Sequence, residues 1–249
     1  MKSLIVANWK MHPDTMEEAR ALLKKTLLRL PKGAEVVLCP PTPFLSILSS
    51  SYRGKTLSFG AQDVSAEETG SHTGEYTASM LASLKLSHII LGHSERRKGG
   101  ETSQMVAKKI TATLRACLTP IVCVGETERD GEGKYLKILE EQMRSTLLGI
   151  KPADARRLVL AYEPVWAIGK DTNDALSPLS LQETILFIRK VMSELWDRKV
   201  ALSVPILYGG SVTPENSRVL KETGGVAGFL VGHESLLPER FREIVKASL

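Results

Sequence analysis

Short aliphatic runs recur along the chain, each closed by small or polar residues. They fall at 4–8, 35–39, 56–62, 88–92, 120–125, 158–163, 205–209 and 226–232. Several are almost wholly apolar rather than alternating, which suits parallel strands covered on both faces. Helical periodicity fills the intervals. Asp14 followed by Glu17 reads as a capping box, and Met16, Ala19, Leu23, Leu27 and Leu30 form one apolar stripe behind it. Further helices are expected near 78–85, 102–117, 134–148, 180–197, 214–222 and 237–247, with a short one after Pro43. Eight strand–helix alternations predict an α/β fold, a (β/α)₈ barrel of eight parallel strands surrounded by helices, with residues 1–249 as a single domain. A doubly wound open sheet is the competitor, but it usually carries a glycine-rich turn after its first strand. Here the first run passes into Ala7-Asn8-Trp9-Lys10.

A chain of 249 residues is the usual size of one such barrel and buries enough surface to need neither disulfide nor metal. The net charge of +5 is spread over short, scattered pairs, so it can help steer an anionic substrate but forms no basic stripe. No nucleic-acid module is expected. Cys39, Cys117 and Cys123 are odd in number and fit no metal or disulfide framework, consistent with reduced thiols in a cytoplasmic protein. The apolar start, Leu4 to Ala7, is too short for a signal-peptide core, and no stretch approaches a membrane span.

Barrel active sites form where strands end at their C-terminal side, so the run ends are read as one surface. The first contributes Asn8 and Lys10, the fourth His93 and Glu95, the sixth Glu163, the seventh Gly209-Gly210-Ser211, and the eighth Gly232-His233. Glycine-rich turns let backbone N–H groups approach an oxyanion, and the last two loops of a barrel are a recurrent phosphate site. Glu163, followed at once by Pro164, is placed to abstract a carbon-bound proton beside a carbonyl. A neutral imidazole and an ammonium can stabilise the enediolate that results. The set points to aldose–ketose isomerisation of a small phosphorylated sugar. Other chemistries fit less well. A retaining glycosidase needs paired carboxylates at about 5 Å, and the seventh run offers none. A Schiff-base aldolase would have to use Lys10 as nucleophile. A non-catalytic phosphate-binding barrel would have no use for Lys10, His93 and Glu163 together.

The motifs Asn8-Trp9-Lys10, His93-Ser94-Glu95-Arg96-Arg97, Ala161-Tyr162-Glu163-Pro164-Val165-Trp166-Ala167-Ile168-Gly169 and Tyr208-Gly209-Gly210-Ser211-Val212 resemble the triosephosphate isomerase family, in order and across the whole chain. The resemblance implies interconversion of D-glyceraldehyde 3-phosphate and dihydroxyacetone phosphate, in glycolysis and gluconeogenesis, without cofactor or metal. It implies Glu163 as base, His93 as electrophile and Lys10 as the charge that stabilises the intermediate. Glu95 would be a supporting carboxylate and Asn8 a substrate-binding residue, with phosphate held by backbone N–H groups of Gly169, Ser211, Gly232 and His233. It also implies a homodimer in which the loop Gly70-Ser71-His72-Thr73-Gly74-Glu75 inserts into the partner, Thr73 reaching toward the neighbouring site. A four-carbon ketose phosphate such as erythrulose 1-phosphate is the alternative substrate. The chain departs from the family pattern in four places. Lys170-Asp171-Thr172-Asn173-Asp174-Ala175 replaces the usual lid tip, Gly232-His233 replaces Gly-Gly, Asp63 stands where Asn is common, and Lys98-Gly99-Gly100-Glu101 is short and lacks an aromatic.

Overall fold

The computed structural model describes residues 2–167 and 176–249. Eight strands, β1 (Leu4–Asn8), β2 (Glu35–Cys39), β3 (Ser58–Ala61), β4 (His88–Leu91), β5 (Thr119–Val124), β6 (Val159–Tyr162), β7 (Ile206–Tyr208) and β8 (Gly228–Val231), close into a barrel in sequence order. Every pairing is parallel, and β8 closes on β1 with Leu4 opposite Gly228 and Ala7 opposite Val231. The α/β barrel expected from the sequence is therefore the fold. Helices ring the outside, among them Met16–Leu27, Thr42–Ser51, Ser103–Arg115, Lys134–Thr146, Pro178–Leu195, Pro214–Gly224 and Pro238–Ala247.

Alternation along each strand divides the apolar residues between two cores. One small cluster, built from residues such as Leu4, Val6, Val37, Cys39, Ile90, Ile121, Cys123, Ala161, Leu207 and Leu230, fills the barrel. The other faces of the same strands, with Ile5, Ala7, Leu38, Ile89, Leu91, Val122 and Tyr162, meet the helices. Burying one such Val, Leu or Ile side chain is worth roughly 1.5–3 kcal/mol. The two-sided demand explains why the runs are aliphatic rather than alternating. β3 places Gly60 against the barrel cluster: a Cβ there would lie 2.9 Å from Cys39 Sγ and 2.9 Å from the His88 carbonyl oxygen.

The helix expected behind Asp14 starts one residue later than the sequence reading had it. Thr15, in extended conformation, is the N-cap: its hydroxyl accepts from the Glu18 N–H, and the Glu18 carboxylate accepts from the Thr15 N–H. The box is Thr15–Glu18 rather than Asp14–Glu17, because a cap must sit one residue ahead of the first helical residue, Met16. Ala19, Leu23 and Thr26 are the buried face of this helix, and Leu30 is buried beyond its end. Three short helices, Ser94–Lys98, Pro152–Ala155 and Arg198–Ser203, lie where periodicity carries no signal, since one turn is too brief to show a period.

Candidate active site

The C-terminal strand ends converge on a cavity of about 340 Å³ lined by Asn8, Lys10, His93, Glu163, Gly209, Gly210, Ser211, Gly232, His233 and Glu234. Of the candidates at these strand ends, Asn8, Lys10, His93, Glu163, Ser211, Gly232 and His233 thus share one space, and Glu95 lies outside it. Gly169 and the altered lid residues Lys170 to Ala175 lie outside the described residues. Thr73 is exposed and does not line the cavity.

Glu163 follows β6, and its backbone N–H donates to the Val124 carbonyl at 2.8 Å, which fixes where the side chain leaves the barrel. The carboxylate is buried at 2% exposure. Its Oε2 accepts from the Ser94 N–H at 3.0 Å, and its Oε1 lies 3.3 Å from His93 Nε2. Burial raises the Glu163 pKa above the ordinary carboxylate value, against the opposing pull of His93, the Ser94 N–H and Lys10. A carboxylate lifted in this way is a stronger base than a solvated one. Gly209 makes room for it: a Cβ there would sit 2.8 Å from Glu163 Cγ.

His93 caps the short Ser94–Lys98 helix. Its Nδ1 accepts from the Glu95 N–H at 3.2 Å, so the neutral ring carries its proton on Nε2, the nitrogen that faces Glu163 and the cavity. Lys10 adopts a left-handed backbone with φ 53, held by two hydrogen bonds: its N–H donates to Asn8 Oδ1 at 3.0 Å, and Gln62 Nε2 donates to its carbonyl at 2.9 Å. A non-glycine residue there stores roughly 1–3 kcal/mol of strain, which surrounding contacts must sustain. Lys10 Nζ sits 2.5 Å from Glu95 Oε1. Glu95 also approaches His93 Nδ1 at 3.7 Å but does not line the cavity. Partial burial works to raise the Glu95 pKa, yet the Lys10 hydrogen bond and charge, with His93, bring it below its ordinary value.

The other part of the lining comes from the last two loops. Ser211 Oγ donates to the Ala167 carbonyl at 2.9 Å, and Asn216 Nδ2 donates to the Ser211 carbonyl at 2.9 Å, anchoring the loop to the helix Pro214–Gly224. The Ser235 hydroxyl donates to the Gly232 carbonyl at 2.6 Å, shaping the turn that presents Gly232 and His233. His233 opens the 3-10 turn His233–Leu236 and is exposed.

Several supporting residues escaped the sequence reading. Gln62 bridges the ends of β1 and β2 by also donating to the Cys39 carbonyl at 2.8 Å. Arg97 donates to the Gly92 carbonyl at 2.8 Å and to the Cys123 carbonyl at 3.2 Å, pinning β4 to β5. Glu126 is fully buried, and its Oε1 accepts from Tyr162 Oη at 2.9 Å and Trp166 Nε1 at 2.8 Å. Burial, then the Glu126 charge, pushes the Tyr162 and Tyr208 pKa values up. Asp63, noted as a departure, is satisfied: Oδ1 pairs with the buried Lys109 at 2.7 Å and Oδ2 with Arg96 at 2.5 Å. Lys109 also pairs with Glu101, the buried acid that ends the short Lys98-Gly99-Gly100 stretch. The thiols are free, Cys39 and Cys123 buried and Cys117 exposed. Among the described residues no cluster of three metal-ligating side chains occurs, and no helix is long and apolar enough to cross a membrane.

The fold and the rim define a (β/α)₈-barrel enzyme with a buried carboxylate, an imidazole and an ammonium on one cavity shared with two glycine-rich loops, a set fitted to proton transfer. Comparison with known proteins gives the particular family. The triosephosphate isomerase family model matches residues 3–248. The chain is similar to the triosephosphate isomerase of Moorella thermoacetica, 45% identical over 249 residues that cover 98% of each chain. It is similar to that of Xanthomonas axonopodis pv. citri, 41% identical over 99% of this chain and 98% of the relative. That of Carboxydothermus hydrogenoformans is 40% identical over 100% and 99%. The chain belongs to the triosephosphate isomerase family and is an isomerase.

Proposed function

We propose that this enzyme interconverts D-glyceraldehyde 3-phosphate and dihydroxyacetone phosphate, with Glu163 as the base. The observation that carries the reading is the 3.3 Å approach of His93 Nε2 to Glu163 Oε1 inside a cavity also lined by Gly210, Ser211 and Gly232. A three-carbon phosphate anchored on those loops brings its reacting carbons over the cavity face that Glu163 and His93 share. Glu163 takes the proton from the carbon next to the carbonyl, and the electron pair moves onto the carbonyl oxygen. His93 Nε2–H hydrogen-bonds that oxygen, and the Lys10 charge stabilises the enediolate. Proton exchange between the two oxygens, then return of the proton from Glu163 to the neighbouring carbon, completes the isomerisation. The balance consists of proton transfers alone, so the reaction consumes no oxidant or reductant. Asn8 shapes the pocket and holds Lys10 through its backbone. Glu95 keeps Lys10 in place. Backbone N–H groups at Ser211, Gly232, His233 and Gly169 bind the phosphate.

The same reading takes the chain as one barrel domain, working in the cytoplasm as a homodimer. The exposed loop around Thr73, tied at its base by Ser65 N–H to the Tyr76 carbonyl at 3.0 Å, is the segment offered to the partner. A dehydrogenase-coupled assay on D-glyceraldehyde 3-phosphate, run on the parent and on Glu163→Gln, tests the assignment. Loss of about 10²–10⁴-fold or more in kcat is expected, the span of a positioned acid–base group. An unchanged rate in the variant, or faster turnover of erythrulose 1-phosphate by the parent, overturns the reading.

A further inference from the structure

Three charged side chains outside the reacting centre tie its two anion-binding loops together. Arg240 lies in the helix Pro238–Ala247, and its guanidinium forks onto Glu215, Nη1 to Oε1 at 3.1 Å and Nη2 to Oε2 at 3.1 Å. Its third donor, Nε, binds Glu234 Oε2. Glu215 stands in the first turn of the helix Pro214–Gly224, which leads out of the Ser211 loop. Glu234 stands in the 3-10 turn that follows Gly232, and it lines the cavity.

A carboxylate in the wall of a pocket for a dianion is a repulsive element. Glu234 is only 17% exposed, so solvent screens it poorly. Arg240 supplies the opposite charge and draws the carboxylate toward its own helix. We propose that Arg240 is a positioning residue for substrate phosphate: by holding and neutralising Glu234 it keeps the Gly232 loop receptive to a dianion. The inference rests on the placement of phosphate in this cavity. A plain surface ion pair is the competing account. Such pairs add little to stability, and the Glu215 carboxylate is 64% exposed. That account predicts a small change in thermal midpoint and none in binding.

The test compares the parent, Arg240→Gln and the double variant Glu234→Ala/Arg240→Gln, measuring kcat and KM for D-glyceraldehyde 3-phosphate and the Ki of inorganic phosphate. Arg240→Gln is expected to raise KM and Ki about tenfold, or about 1.4 kcal/mol in binding, with kcat within twofold. The double variant is expected to return both constants to within about twofold of the parent, because the offending carboxylate is gone. Arg240→Lys, which keeps the charge without the fork, stands in if the Gln variant does not fold and is expected to raise both constants about threefold. Equal constants in the parent and the Arg240 variants overturn the proposal, as does a double variant no better than the single one. If inorganic phosphate fails to compete even with the parent, the placement of phosphate itself falls, an outcome distinct from equal competition in all variants.

Discussion

Replacing Gly209 by Ala should impair the chemical step while leaving the fold in place. Gly209 does not occupy the left-handed region, so an alanine meets no backbone strain there. The added methyl would instead sit 2.8 Å from Glu163 Cγ. Ordinary contact begins near 3.4 Å, so the carboxylate must retreat by about 0.6 Å at least. It cannot retreat freely: Oε2 is held by the Ser94 N–H at 3.0 Å and Oε1 lies against His93 at 3.3 Å. The base is therefore pushed off its line to the substrate carbon. A misplacement approaching 1 Å costs on the order of 10²-fold, or about 2.7 kcal/mol in the barrier at 1.36 kcal/mol per decade. The expected result is a kcat about a hundredfold lower, with KM within about threefold because the Ser211 and Gly232 loops keep their own anchors. Steady-state kinetics in the coupled assay reads both constants, and thermal unfolding checks that the barrel persists. A variant retaining kcat within threefold of the parent refutes the reasoning, since the base would then have slack that the packing denies.

The remaining predictions concern buried charge and assembly. Because the Glu163 pKa is raised in the fold, kcat/KM should decline as pH falls through a value above the ordinary carboxylate range near 4.5; an acidic limb at or below that value contradicts the burial argument. By linkage, the native state binds this proton more tightly than the unfolded chain, so the parent loses stability as pH rises between the two values. Glu163→Gln should therefore be the more stable protein in urea at neutral pH and lose that advantage near pH ~4. Equal stabilities at neutral pH would show that the ionised carboxylate is not penalised. Lys109→Met leaves Glu101 without its counter-ion and Asp63 with Arg96 alone, and should cost roughly 3–5 kcal/mol in denaturant unfolding; a loss under ~1 kcal/mol would mean the cluster is solvated. Sedimentation at micromolar concentration should give twice the chain mass, and a monomer that turns over at full rate would remove the role assigned to the Thr73 loop.

Much of this molecule is legible from residue order alone. Strands covered on both faces must be aliphatic throughout, so runs such as Leu4 to Ala7 and Val159 to Tyr162 announce themselves. A barrel gathers every strand's C-terminal end on one rim, so Lys10, His93, Glu163, Gly209 and Gly232 follow from the sequence as one site. What local pattern cannot supply is pairing between distant charges. Lys109 reads as a solvated cation, yet it is buried against Asp63, 46 residues away. Glu126 carries no signal in the sequence, yet the fold seals it beneath Tyr162 and Trp166. The Arg240 bridge joins helices whose order in the chain says nothing about which loop each braces. Even the helix cap shifted by one, from Asp14 to Thr15, because two overlapping acid-spaced boxes look alike until backbone angles choose between them. Hydrophobic period is a property of neighbours in the chain and survives in the sequence. Electrostatic partnership is a property of neighbours in space, and only the closed barrel decides it.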